Sequence, residues 1–147
     1  MSPNIDYYQL NKPAFDALGS VGKQIASIEP KLRALVELRV SQINGCGYCV
    51  DIHSVKARSH GETQQRLDCL AAWWECDFFS PAESAALRWA EAVTSISHSH
   101  APSELLEALK PHFSELQIVD LTLIIATMNA WNRIAIAHHK HPAQRAN

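Results

Sequence analysis

Glu37-Leu-Arg-Val-Ser-Gln-Ile-Asn-Gly-Cys46-Gly-Tyr-Cys49-Val-Asp-Ile-His53 is the stretch around which the rest of this 147-residue chain is organised. A Cys-x-x-Cys pair opens a helical pattern, a histidine follows one turn after the second cysteine, and a glutamate precedes the first by nine residues. On a helix beginning near Gly47, Cys49 and His53 stand at i and i+4 and share a face. With Cys46 as the first helical residue, it joins them at i−3. Two thiols and a base on one stripe can support redox or acid–base chemistry.

The whole chain sets limits on what that stretch can be. At this length one domain can bury an ordinary core. Residues 1–142 are expected to form that domain and 143–147 a disordered tail. Apolar residues make up 47% and charged ones 19%, which suits a globular protein. A net charge of −2 and the absence of a basic run argue against a nucleic-acid surface. The N-terminal Met-Ser-Pro-Asn-Ile-Asp-Tyr-Tyr does not read as a signal peptide. The segment from Ile118 to Ala137 is too interrupted by Asp120, Asn129, Asn132 and Arg133 to cross a membrane. Four cysteines without an export signal point to reduced or catalytic thiols and a cytoplasmic protein.

Strand alternation is weak everywhere, whereas helical spacing is strong. Pro13 sits in a first turn, followed by Phe15, Leu18, Val21 and Ile25. Pro30 opens a second helix carrying Leu32, Leu35, Val36, Val40 and Ile43, which Asn44-Gly45 ends with a left-handed glycine. The cysteine helix runs to His60-Gly61. Thr63 caps a short helix reaching Trp73-Trp74, and Ser80-Pro81-Ala82-Glu83 is a capping box for the next. His98 to Pro102 reads as a loop, and a short helix from Pro102 or Ser103 ends near Pro111. Ser114 begins the longest helix, through Leu121, Ile124, Ile125, Met128 and Trp131 to His138. The expected architecture is all-α, with about six to seven helices packed orthogonally or as a bundle.

A lone Cys-x-x-Cys has redox, metal and structural readings. Zinc requires two further ligands, but Cys69 and Cys76 are seven apart with Trp73-Trp74 between them. Haem attachment requires a histidine directly after Cys49, where Val50 stands. The redox reading has positive support, because a first-turn cysteine feels unpaired N–H groups that favour its thiolate, and His53 can take its proton. Metal and structural thiol readings stay open at this stage. Glu37 alone reads most simply as a solvated residue. The fold-back at Asn44-Gly45 can nevertheless bring it to His53, where a carboxylate orients the imidazole. Ser41 and Tyr48 are candidate donors or fillers. His138-His139-Lys140-His141 has the look of a metal tract, yet it ends a helix, where cations are favoured anyway. No metal or cofactor is assigned. Cys69 and Cys76 read as buried, inert thiols, and Trp131 as core or pocket wall.

Glu37-x8-Cys46-x-x-Cys49-x3-His53, together with Phe78-Phe-Ser-Pro-Ala-Glu, Ala90-Glu-Ala-Val-Thr and Asn129-Ala-Trp-Asn-Arg133, resembles the alkylhydroperoxidase D-like proteins of the carboxymuconolactone decarboxylase superfamily. The resemblance spans about Leu32 to Ala137. It implies an all-α fold of orthogonally packed helices, assembly into homo-oligomers (trimers or hexamers), and thiol-dependent reduction of hydroperoxides with an external dithiol or thiol protein as reductant. It also implies that His53 activates Cys49, that Cys46 is its disulfide partner, and that Glu37 works through His53 in a proton relay. The chain departs from the best-known members inside the motif, with Gly47 and Tyr48 where an extra histidine occurs, and in the shorter interval from Glu37 to Cys46. Two other readings accompany this one: a lactone decarboxylase-like enzyme using Glu37 and His53 as acid and base, and a non-catalytic redox sensor.

Overall fold

Ala34, Leu35, Val36, Glu37 and Leu38 are all buried, and five consecutive helical positions face every direction around the axis. The helix that carries them therefore runs through the middle of the protein. In the computed structural model, which describes residues 5–145, this helix packs against the cysteine helix on one side and against two later helices on the others.

The described residues form nine α-helices and no strand. In chain order they are α1 (Tyr7–Leu10), α2 (Lys12–Gln24), α3 (Pro30–Asn44), α4 (Gly47–Ser59), α5 (Gln64–Cys69), α6 (Pro81–Thr94), α7 (Ile96–Ser99), α8 (Ser103–Glu107) and α9 (Glu115–Ala137). A 3₁₀ segment, Leu70–Glu75, continues α5 past a kink at Ala72. The all-α expectation holds. The helix count exceeds six to seven because α1 and α7 are single turns, too short to show a 3.6-residue period. The stretch read as a loop at His98 contains α7, closed by His100 and Ala101 in left-handed conformations.

The boundaries follow local chemistry. Ser80 and Ser114 each form a complete capping box, with Glu83 and Gln117 respectively. Thr63 caps α5, accepting from the Arg66 N–H. Gly45, at φ 69°, ends α3 and turns the chain straight into α4. Residues 141–145 carry no regular secondary structure, although Arg145 pairs with Asp51 on α4. The last two residues of the tail, 146–147, lie outside the described residues.

Two apolar clusters flank α3. One gathers Val36, Val40, Trp89, Leu121, Ile124 and Ile125 between α3, α6 and α9. The other gathers Leu35, Leu38, Leu67, Leu70, Trp73 and Leu87 beneath α5 and the 3₁₀ segment. Between α3 and α9 runs a buried polar ladder. Asn44 donates from Nδ2 to Asn129 Oδ1 and Asn132 Oδ1, both at 2.9 Å, and Asn132 donates to Ser41 Oγ at 3.1 Å. Asn129 in turn donates to Thr94 on α6. Buried amides of this kind are strongly directional, since each unmade bond strands a desolvated dipole. The ladder therefore fixes the register of the Asn44–Cys46 turn against α9.

Truncating Asn132 to Ala removes one acceptor from Asn44 and the amide donor to Ser41 and leaves a hole, so a loss of about 2–4 kcal/mol of unfolding free energy is expected in urea titrations. Lys110→Ala, which removes an exposed pair with Glu107, should stay within about 0.5 kcal/mol of wild type. Equal small losses for both would contradict the role given to the ladder.

Candidate active site

Placing Glu37 on a helix that is buried all round puts a carboxylate where water cannot solvate it. Its side chain is only 5% exposed. An unpaired charge there would be costly, and three basic side chains converge on it instead. Arg33, one turn earlier on α3, donates from Nε to Oε1 at 2.9 Å. Lys56 on α4 donates from Nζ to Oε2 at 2.7 Å. His53 Nδ1 also approaches Oε2, at 3.2 Å, but out of line for a hydrogen bond, and it has no other partner. Burial, the strongest single influence, pushes the Glu37 carboxyl up. The contacts with His53 and Lys56 together outweigh it and hold the group at about 2, below its ordinary 4.5. Glu37 is thus ionised across the physiological range.

The turn at Gly45 brings this charge cluster to the cysteines. Cys46 is the N-cap of α4, and its Sγ accepts from the Cys49 N–H at 3.3 Å. It stands just outside the helix rather than as its first residue. Sulfur at this cap faces the free N–H groups of the first turn, a setting that favours negative charge. Cys46 and Cys49 are joined as a disulfide with Cα atoms 5.3 Å apart. Both are buried, packed with Ala135 of α9 and Tyr48.

A cavity of about 370 Å³ opens at the pair. Cys49 and His53 line it together with Tyr48 and Ile52 of α4, Met128, Trp131 and Ala135 of α9, and Tyr7 and Tyr8 of α1. Cys46 does not reach it. The roof is braced from outside, as Tyr8 donates to Asp16 at 2.6 Å and Tyr7 packs on Phe15 and the His138 ring. The wall is chiefly aromatic and apolar, with the thiol and imidazole as its chemical end. A second cavity, of about 360 Å³, is lined by Lys23, Arg33, Glu37 and Lys56 and shares Met128 and Trp131 with the first.

Of the residues singled out in the sequence, Glu37, Cys46, Cys49 and His53 are brought together. The simpler reading of Glu37 as a solvated residue is overturned by its burial. Ser41 is not a free donor, because it donates to Glu37 O and accepts from Asn132. Trp131 lines both cavities. Cys69 and Cys76 are half-buried rather than buried. His138 Nδ1 lies 2.8 Å from Ile134 O. Sequence reasoning missed Arg33 and Lys56. Their signals were present, Arg33 lying four residues before Glu37 and Lys56 three after His53. Tyr7 and Tyr8 gave no comparable signal.

The model of the carboxymuconolactone decarboxylase family matches residues 12–92. An uncharacterized protein of Bacillus subtilis, YdfG, is 43% identical over 99% of this chain and 100% of its own length. Among solved structures, a protein of unknown function from Agrobacterium tumefaciens, proposed to be the antioxidant-defence protein AhpD, is 35% identical with a TM-score of 0.91, covering 96% of this chain and 99% of that one. An uncharacterized peroxidase-related protein with an alkylhydroperoxidase AhpD core from Ralstonia eutropha has a TM-score of 0.82 at 22% identity, covering 94% of this chain and 75% of that one; this likeness is one of fold.

The lowered Glu37 pKa makes a prediction about acid. A group held at about 2 when folded and near 4.5 otherwise contributes stability that is fully present above 4.5 and lost as pH falls toward 2. The stability gap between wild type and Glu37→Gln should therefore narrow as pH falls through that window, by on the order of 3 kcal/mol. Urea midpoints measured across the window test this, and a pH-independent gap would contradict it.

Proposed function

The chain belongs to the carboxymuconolactone decarboxylase family as an alkylhydroperoxidase D-like member, and on that premise we propose that it is a thiol-dependent peroxidase reducing organic hydroperoxides. The observation that carries the proposal is the sharing of one cavity by Cys49 and His53, with Cys46 hidden behind Cys49 and already within disulfide reach.

In the reduced protein His53 takes the Cys49 proton, and the α4 N-terminus favours the sulfur anion that results. Glu37, ionised and anchored by Arg33 and Lys56, orients the imidazole and stabilises its charged form. The thiolate attacks the terminal oxygen of the hydroperoxide. The O–O bond breaks, the leaving alkoxide collects the proton from His53 as an alcohol, and Cys49 becomes a sulfenic acid. Cys46 then attacks that sulfur, an S–S bond forms, and water leaves. An external dithiol or thiol protein returns both sulfurs to thiols by exchange through a mixed disulfide. The aromatic and apolar cavity wall suits an alkyl or aryl substituent on the peroxide.

Two further assignments belong to the same proposal. The protein works as a homo-oligomer, a trimer or hexamer by family resemblance; the exposed row Leu116, Val119 and Leu123 along α9 offers an apolar face for assembly. It acts in the cytoplasm, a setting that suits its two free thiols, Cys69 and Cys76. Among the described residues no helix is long and apolar enough to cross a membrane.

Consumption of cumene hydroperoxide with dithiothreitol as reductant tests the chemistry. Cys49→Ser and Cys46→Ser should each lose turnover. His53→Gln should fall by roughly 10²–10⁴-fold, the usual contribution of a positioned general base. Equal rates for wild type and Cys49→Ser would overturn the assignment.

A further inference from the structure

The Glu37 oxygen that His53 approaches is the same one that Lys56 already holds. Lys56 Nζ lies 2.7 Å from Oε2, nearer than His53 Nδ1 at 3.2 Å, and His53 Nδ1 is buried with no aligned partner. A carboxylate–imidazole pair of this kind normally makes a direct hydrogen bond that fixes the tautomer and strengthens the imidazolium. Here a primary ammonium intervenes. It comes from α4, three residues beyond His53, so one helix delivers both the base and the competitor for its counter-ion. The Lys56 side chain is 37% exposed and lines the second cavity, from which His53 and Cys49 are absent.

Other charged groups around the pair are few. Arg33 from α3 takes the other Glu37 oxygen and is further held by Gly22 O and Ile25 O. Lys23 from α2 lines the second cavity, and His60, just past the end of α4, lines a third beside Arg33 and Lys56. Tyr7 and Tyr8 from α1 and Tyr48 from α4 surround the His53 side. From α9 come Thr127, Met128 and Trp131, none of them charged. Lys56 is thus the cation that meets Glu37 at the oxygen facing His53.

We propose that Lys56 is a positioning residue: by donating to that shared oxygen it limits the hold of Glu37 on the imidazole and so sets how tightly His53 keeps the proton it takes from Cys49. The proposal rests on the peroxidase reading for its purpose, though its electrostatics can be read without turnover. A histidine locked to an unopposed buried carboxylate keeps its proton more tightly. Sharing the oxygen with Lys56 weakens the lock without removing the negative charge that orients the ring. The second cavity supplies Lys56 with solvent on the side away from the substrate.

The test is the ring titration of His53 followed by NMR in the reduced full-length protein. Lys56→Met should move the titration midpoint upward from wild type by about one pH unit, since the carboxylate then faces the imidazole unopposed. Lys56→Arg should restore it to within roughly 0.3 of wild type, and Glu37→Gln should move it the opposite way. Should Lys56→Met fail to fold, Lys56→Gln carries the same expectation. An unchanged midpoint on loss of the ammonium, with Glu37→Gln still shifted, would overturn the proposal. Wild type that titrates as described but turns over no hydroperoxide would overturn the peroxidase reading alone.

Discussion

A carboxylate in the middle of an all-round buried helix needs cations, and the placement of those cations decides much of this structure. Removing one partner of such a buried pair typically costs about 3–5 kcal/mol, because the remaining charge is stranded. Glu37 therefore constrains where α4 can sit: close enough for its Lys56 and His53 to reach across to α3. The Gly45 turn makes that approach possible, and the Asn44–Asn132 ladder keeps the turn in register with α9. The disulfide-forming cysteines sit between these two constraints, at the point where the turn becomes a helix. Packing and chemistry are settled by the same few contacts.

This coupling gives the four motif residues separate parts to play. Cys46 is a helix cap, buried and out of reach of the substrate cavity. Cys49 is one turn further, on the cavity wall beside His53. Glu37 touches neither sulfur and acts through the imidazole. The aromatic roof from α1 and the wall from α9 give Cys49 and His53 a largely apolar surround. In the proposed peroxidase cycle Cys49 meets the oxidant and Cys46 resolves it.

Much of the fold was legible because its signals are local. Capping boxes at Ser80 and Ser114, the proline starts at Pro13 and Pro30, and the glycine stop at Gly45 all act within four or five residues. The single-turn helices α1 and α7 escaped because four residues carry no period. At the site, the Cys49–His53 spacing was readable from the i,i+4 rule, and the fold-back at Asn44-Gly45 gave Glu37 a route to His53. The burial of Glu37 was harder to see. It depends on α2, α4 and α9 closing around that face of α3, which is a tertiary fact. Lys56 was overlooked because a lysine near a helix end ordinarily faces solvent. Tyr7 and Tyr8 reach the cavity only through packing on Phe15, Asp16 and His138, none of which their own sequence neighbourhood announces.

The central claim is that the buried Glu37–His53 pair makes Cys49 a thiol that hydroperoxides oxidise directly, with Cys46 as resolving partner. Mixing the fully reduced protein with one equivalent of cumene hydroperoxide, with no reductant present, and mapping the thiols by mass spectrometry addresses it most directly. The account predicts one alcohol released and one Cys46–Cys49 disulfide formed per hydroperoxide, with Cys69 and Cys76 still reduced. Unconsumed peroxide with all four thiols intact would contradict it, as would oxidation confined to Cys69 and Cys76.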